Sequence, residues 1–345
     1  MSESAPAPTR GAATLDDVAR AAGVSLATAS RVLNGSTRKV AESYRERVEA
    51  AAEQLGYTAN LSAQATARGT SGIIALLVAD IADPYFGQLA SGVARGADEA
   101  GLIVTIAITE RDPQREVRLV RALRGQRPRG LILAASRTDG PDAVGLQTEL
   151  DAFAGMGGRV VALGPVGGDI RSVTIDNRGG SRALGDELAR LGYRAAVIIG
   201  ATQGIRTSDD RIAGFTEGFT SGGGTVREVR RGAFTRDAGY AAAEELLAGD
   251  LPSGTVVFGI SDVVAIGIMS AIRDAGRTVG DDVAVAGFDD IATGRDIRPG
   301  LTTVRVPLED LGYRALHAAI EADWDAAQPT VPLEVIVRGS TPPVG

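Results

Sequence analysis

Near residue 70 the spacing of the apolar residues changes, and that change constrains the fold more than any other feature of the chain. From Ser71 onward short apolar runs alternate with helical patterns. Ile73 to Ala79, Leu102 to Ile108, Leu131 to Ala134, Val160 to Leu163, Ala196 to Ile199, Thr225 to Arg230, Val256 to Ile260 and Val283 to Phe288 read as strands. Phe86 to Ala100, Gln114 to Arg124, Arg182 to Leu191, Ile212 to Thr220, Ala238 to Ala248, Val263 to Ala275 and Leu308 to Asp323 carry helical spacing. Strands that are apolar along their length must be covered on both faces, and crossover helices cover them, so the expectation is α/β with a parallel sheet. Residues 71–345 are too many for one doubly wound unit, which predicts two parallel-sheet lobes.

Before that point no strand pattern occurs. Thr14, with Asp17 three residues on, makes a capping-box arrangement that starts a helix, and Gly23 ends it. Ser25 is a good N-cap for a second helix with Ala29, Val32 and Leu33 on its apolar face, and Asn34-Gly35-Ser36 breaks it. A third helix runs from Glu42 to Leu55 and stops at Gly56. Three short helices with a tight glycine turn between the first two describe an all-α helix-turn-helix domain. The expected organisation is a disordered tail at 1–13, the helix-turn-helix at 14–57, a linker at 58–70 and a two-lobed α/β domain at 71–345.

Composition excludes several function classes. The 345 residues contain no cysteine and one histidine, His317, so thiolate chemistry and a His-rich metal site are excluded and a Ser-His-Asp hydrolase is disfavoured. No cofactor is expected. No apolar run is long enough to span a bilayer, and the Ala/Pro/Ser-rich start lacks a signal-peptide core, so a cytoplasmic location is expected. The net charge of -7 seems to argue against a nucleic-acid partner. Its distribution removes that objection: residues 1–70 hold 8 Lys+Arg against 7 Asp+Glu, whereas residues 71–345 hold 28 against 36.

A helix-turn-helix sets its second helix in the major groove, with residues near that helix's start facing base edges. Here these are Leu26, Ala27 and Thr28, with Arg31 one turn on. The Arg31 guanidinium can donate twice to a guanine edge, and Leu26 and Ala27 can pack on a thymine methyl. Thr14, Ser25, Thr28, Ser30, Asn34, Arg38 and Lys39 suit phosphate contacts that set register. A three-helix bundle with a solvated arginine is the alternative on periodicity alone.

The residue strings themselves narrow this. Thr14-Leu15-Asp16-Asp17-Val18-Ala19-Arg20-Ala21-Ala22-Gly23-Val24-Ser25 followed by Thr28-Ala29-Ser30-Arg31-Val32-Leu33-Asn34-Gly35 closely resembles the DNA-binding start of the lactose-repressor (LacI/GalR) family. Gly56-Tyr57-Thr58-Ala59-Asn60, Asp80-Ile81-Ala82-Asp83-Pro84-Tyr85-Phe86, Gly287-Phe288-Asp289-Asp290, Leu301-Thr302-Thr303-Val304 and Val337-Arg338-Gly339-Ser340-Thr341 resemble further family motifs in the family's order. The resemblance assigns effector binding and dimerisation to residues 71–345. It implies two lobes like those of the periplasmic sugar-binding proteins, with the ligand held between them and three crossovers near 172–177, 288–303 and 324–333. It also implies a hinge helix in the linker that enters the minor groove, with Asn60 among the DNA contacts. The chain departs from the pattern there: Thr66 stands where relatives place an intercalating leucine, Ala59 replaces a common proline, and Leu61 is the segment's one large apolar residue.

For the effector the resemblance implies a cleft lined by Asp83, Tyr85, Phe86, Arg211, Phe234, Ser261, Asp262 and Asp289. Arg211 matches a ligand-clamping arginine, whose planar fork suits vicinal hydroxyls, a carboxylate or a phosphate. Asp289 suits two adjacent hydroxyls, and Phe86, Phe234 or Tyr85 an aromatic stacking face. Ordinary structural roles compete: a cap for Asp262 or Asp289, an ion pair for Arg211, core packing for Phe86 and Phe234. His317 and Trp324 are read as structural.

The expectation is a ligand-responsive, sequence-specific transcription regulator, a repressor, acting as a homodimer on double-stranded, near-palindromic operator DNA. Its effector would be a sugar or sugar derivative, with nucleobases and nucleosides behind. A solute-binding protein for uptake would share the effector fold but carry no residues 14–57. An α/β enzyme would need a nucleophile-base pair or metal set that the sequence lacks.

Overall fold

The computed structural model describes residues 13–33, 40–58, 71–135, 143–164, 170–249, 251–252, 254–324 and 330–344. The expectations for the tail, for Asn34, Arg38 and Lys39, and for Asn60, Leu61 and Thr66 of the linker lie outside the described residues. The chain divides into two compact units, Met1–Ser71 and Gly72–Gly345.

The first unit holds α1 (Leu15–Ala22), α2 (Leu26–Leu33) and α3 (Glu42–Leu55). The capping box closes in both directions: Asp17 N donates to Thr14 Oγ1 at 3.3 Å and Thr14 N donates to Asp17 Oδ2 at 3.0 Å. Gly23 then takes φ 62°, a left-handed turn that a side chain would resist, and its N–H reaches back to Ala19 and Arg20. Ser25 Oγ accepts from Thr28 N at 3.1 Å, which starts α2. The core is small: Val18, Ala19, Ala22, Ala29, Val48, Ala51 and Ala52 are buried, with Leu15, Val24, Val32, Leu33 and Tyr57 packed around them. Short side chains at the helix crossings let three helices share so few large apolar groups.

The second unit contains two parallel sheets. The first runs β2 (Ile103–Ile108), β1 (Ile73–Val78), β3 (Gly130–Leu133), β4 (Arg159–Leu163) and β5 (Arg171–Val173) in spatial order. Its helices are α4 (Pro84–Glu99), α5 (Pro113–Gly125) and α6 (Ala143–Gly155), the last not apparent from periodicity. The second sheet runs β7 (Thr225–Gly232), β6 (Ala195–Ala201), β8 (Thr255–Gly259) and β9 (Ala284–Ala286). With it lie α7 (Asn177–Arg190), α8 (Arg206–Ser221), α9 (Arg236–Leu247) and α10 (Asp262–Asp274). The central strands β1, β3 and β8 are buried throughout apart from Ile73, as continuous apolar runs require. No helix among the described residues is long and apolar enough to cross a membrane.

The chain leaves the first lobe after β5 and returns late. The short helix α11 (Ala292–Asp296) precedes β10 (Thr303–Arg305), which pairs antiparallel with β11 (Glu334–Ile336). Gly287 N donates to Thr302 O at 2.8 Å and Asp289 N to Val304 O at 2.9 Å, so residues 287–305 stay tied to the second lobe. The passage back therefore falls just beyond Arg305, later than the expected 288–303. It leads into α12 (Leu308–Ile320), which packs on α4 of the first lobe. A Cβ on Gly92 would lie 1.9 Å from Glu309 O, and one on Gly312 would lie 2.1 Å from Leu89 O. The two helices thus meet backbone to backbone, which only glycine permits. α12 ends at Ile320, so His317 lies within it and Trp324 beyond it.

Candidate functional site

In the first unit α2 presents one face outward. Ala29 is fully buried while Leu26 is 50% exposed. Ser25, Ala27 and Arg31 are also exposed, and Thr28 and Ser30 are half-buried. Ser25 and Thr28 join through their hydroxyls at 2.8 Å, and Thr14 is engaged in its capping box. Nearby cations are occupied: Arg20 pairs with Asp16 and with Asp17, Arg45 pairs with Glu42, and Arg47 lies over the Tyr44 ring at 5.0 Å. Among the described residues of this unit, Arg31 alone of the arginines has no such partner. A guanidinium, a half-exposed leucine and a small alanine thus share one helix face.

In the second unit the carboxyl ends of both sheets' strands carry the expected cleft residues. Arg211, on α8, is 1% exposed. Its Nε donates to Asn177 Oδ1 at 2.8 Å, one terminal nitrogen to Ile260 O at 2.9 Å, and the other to Asp289 Oδ1 at 2.8 Å. Its guanidinium carbon sits 3.8 Å from the centre of the Phe288 ring. So much of the fork is committed inside the protein that Arg211 is a framework for the cleft wall as well as part of it. Asp289 adopts φ 121°, a backbone conformation that aspartate rarely takes and that the ladder to Val304 and the bond to Arg211 maintain. Burial raises the Asp289 carboxyl to about 7 against the opposing pull of Arg211.

Asp83 caps α4 by accepting from Tyr85 N at 3.0 Å, and burial raises its carboxyl above the ordinary range. Tyr85 meets Phe86 edge to face at 5.0 Å, and Phe86 is buried. Burial also raises the Tyr85 hydroxyl, so it stays protonated. Phe234 is partly buried and lies under the Arg111 guanidinium at 4.9 Å. Arg111 and Asn177 were not singled out in the sequence. The signal for Arg111 was present, because it follows the carboxyl end of β2, where open α/β sheets place ligand groups. Glu110 and Arg111 both take left-handed backbone there, with φ 55° and 56°.

Asp83, Tyr85, Phe86, Arg111, Arg211, Phe234 and Asp289 converge on one cavity of about 20 Å³ between the lobes. A larger cavity of about 450 Å³ adjoins it, also lined by Asp83 and Phe234. Ser261 and Asp262 line neither. Ser261 caps α10, accepting from Val264 N at 3.4 Å. Asp262 is fully buried and accepts from Thr303 Oγ1 at 2.6 Å and Ile291 N at 2.9 Å, pinning the returning chain to α10. These bonds give Asp262 the contacts of a residue that holds the fold. Burial raises its carboxyl to about 6, against the bonds from Thr303 and Ile291.

Comparison with known proteins adds independent findings. Residues 14–60 match the bacterial regulatory proteins of the lacI family, and residues 186–341 match the periplasmic binding protein-like domain. The chain is 30% identical over 344 residues to the HTH-type transcriptional regulator DegA of Bacillus subtilis (strain 168), covering 96% of this chain and 98% of DegA. It resembles the crystal structure of the lac repressor dimer bound to operator and the anti-inducer ONPF with TM-score 0.82 and 26% identity, over 96% of this chain and 100% of that one. It resembles the complex of the transcriptional regulator CelR with cellobiose with TM-score 0.68 and 30% identity, over 95% and 99% of the two chains.

Proposed function

The chain belongs to the LacI family of bacterial transcription regulators, and from that premise we propose how its own residues divide the work. The first unit reads operator DNA through α2, and the cleft of the second unit binds a small sugar-like effector that controls the reading. The protein represses transcription in this scheme, and its role is binding rather than catalysis. The observation that carries the DNA assignment is the outward face of α2, where exposed Leu26 and Arg31, which has no ion-pair partner among the described residues, stand opposite buried Ala29. Arg31 is assigned to a guanine edge, Leu26 and Ala27 to thymine methyls, and Ser25, Thr28 and Ser30 to the backbone. The division into 14–57, a 58–70 linker and 71–345 belongs to the same reading.

Two copies reading two half-sites imply a near-palindromic operator. The lac repressor neighbour is a dimer on its operator, and this chain offers surfaces for pairing. Edge strand β2 exposes Ile103 at 55% and Ile106 at 41%, an apolar edge that a second copy would cover. Effector bound between the lobes would favour one lobe arrangement, and through it one spacing of the two linkers. It shifts that equilibrium only by its differential affinity for the two arrangements.

An electrophoretic mobility shift with the DNA upstream of the protein's own gene tests the DNA assignment. Arg31→Ala should lose about 1–3 kcal/mol, or roughly 5- to 150-fold in affinity. Both proteins should weaken as salt rises, because phosphate contacts release counterions. Equal affinity of Arg31→Ala and wild type for that fragment overturns the assignment.

A further inference from the structure

The two adjoining spaces in the cleft differ greatly in size, and the difference bears on the class of ligand. The inner one, about 20 Å³, holds about one water. Arg211 and Asp289 fill it from the second lobe and are fixed there by Asn177, Ile260 and the backbone of Val304. Arg111 reaches it from the first lobe and covers a face of the Phe234 ring. The outer one, about 450 Å³, falls within the ~300–1,000 Å³ of small-molecule sites and leaves room for more than one sugar ring.

Asp83 lines both spaces although it is only 8% exposed. Among the described residues only Tyr85 N donates to it, which leaves most of a buried carboxylate's acceptor capacity for a ligand. Such an acceptor calls for hydroxyl donors, because a buried anion is costly when unpaired. The outer wall supplies the Phe234 ring and Ile266, apolar surfaces that fit the C–H face of a sugar ring. Its charges are Asp80, Asp83 and Asp237 against Arg236, whose guanidinium is itself taken by Asp237 at 3.6 Å and Ser270 Oγ at 3.1 Å. The starts of α4 and α9 also point here, and each already carries its own carboxylate, Asp83 and Asp237. Over both spaces Asp80, Asp83, Asp237 and Asp289 outnumber Arg111, Arg211 and Arg236, so an added anion would meet net negative charge.

We propose that the effector is a neutral disaccharide seated mainly in the outer cavity, with Asp83 as its buried hydroxyl acceptor, and that monosaccharides and sugar phosphates bind poorly. This rests on the effector-cleft reading and narrows it.

Isothermal titration of the full-length chain tests it with glucose, galactose, ribose, maltose, cellobiose, lactose, trehalose, glucose 6-phosphate and adenosine as probes. One disaccharide should bind at least about tenfold tighter than its component monosaccharide, and glucose 6-phosphate should give no heat. Thr293→Trp, an exposed position on α11 at the rim of the outer cavity, should weaken that disaccharide by about tenfold or more. Asp83→Asn keeps the helix cap, since asparagine caps as well as aspartate, and should weaken the disaccharide while relaxing the exclusion of the phosphate. Tight disaccharide binding unmoved by Thr293→Trp overturns the placement. A monosaccharide bound as tightly as any disaccharide, or adenosine as the best ligand, overturns the ligand class and leaves the cleft as effector site. No heat with any probe, while specific DNA binding persists, overturns this proposal and the effector reading together.

Discussion

Replacing Arg211 by methionine separates the framework role of this arginine from any role in ligand binding. The substitution keeps a long flexible chain but removes a guanidinium that is 1% exposed and bonded to Asn177, Ile260 and Asp289. What remains is the Asp289 carboxyl, 4% exposed, without its cation, so that above its folded value of about 7, where the melting comparison is made, a buried charge loses its partner. Removing one partner of a buried pair costs about 3–5 kcal/mol, whereas replacing both partners is often close to neutral. In a domain of this size each kcal/mol lowers Tm by about 2–4 °C, so Arg211→Met should melt roughly 6–20 °C below wild type. Asp289→Asn alone should cost less, because the amide oxygen still accepts from the guanidinium. The double variant should recover part of the Arg211→Met loss. The chain's one tryptophan, Trp324, lies in the second unit, so its fluorescence follows that unit's unfolding without interference from the helix-turn-helix. Losses from the two single variants that add within about 0.5 kcal/mol in the double variant would refute the coupling. A loss below about 1 kcal/mol for Arg211→Met would refute the framework role itself. Either way, an effector-binding defect in an Arg211 variant is interpretable only beside its stability, and Arg111→Ala is the cleaner probe of ligand contact.

Three further outcomes follow from the geometry. Thr14→Ala removes a capping box closed in both directions and should cost about 0.5–2 kcal/mol, read as faster amide exchange over residues 15–22; unchanged exchange would count against it. Asp289 is raised to about 7 when folded, against an ordinary value near 4 when unfolded, so between those values the folded state holds a proton that the unfolded state has lost. Its contribution is present at acidic pH and is lost as pH rises through about 7. The Tm of wild type relative to Asp289→Asn should therefore fall from pH 5 to pH 8, and a relative rise would reverse the assignment. Gly312→Ala would put a methyl 2.1 Å from Leu89 O, so the α4–α12 pair must separate; overpacking of about 1–3 kcal/mol is expected by chemical denaturation, and a neutral result would show that the helices can part freely.

Much of the architecture was legible because its signals are local. The capping box at Thr14, the left-handed glycines at 23 and 56 and the uninterrupted apolar strands each express a constraint that acts within a few residues. The α6 helix was missed because its apolar residues form no clear stripe, and β5, β10 and β11 because three-residue strands are too short to show a period. Cleft assignments were legible in part. Asp83, Tyr85, Phe86, Arg211, Phe234 and Asp289 do converge, yet Ser261 and Asp262 turn away into α10 and the returning chain. An aspartate at a helix start satisfies either role, and its own neighbours do not say which.

Periodicity, caps and charge distribution in the chain alone therefore account for the helix-turn-helix, the strand-helix alternation that calls for parallel sheets and the acidic character of the larger unit, since each is written in residues close in sequence. The partition of the polar groups depended on contacts across the fold. Arg211 meets Asp289 across 78 positions, Asp262 meets Thr303 across 41, and Arg111 meets Phe234 from the opposite lobe. A carboxylate or guanidinium becomes a ligand group or a framework group according to whether the fold leaves it spare hydrogen-bonding capacity. The net charge of -7 describes the whole chain, while binding is decided where a few of those charges are left unpaired.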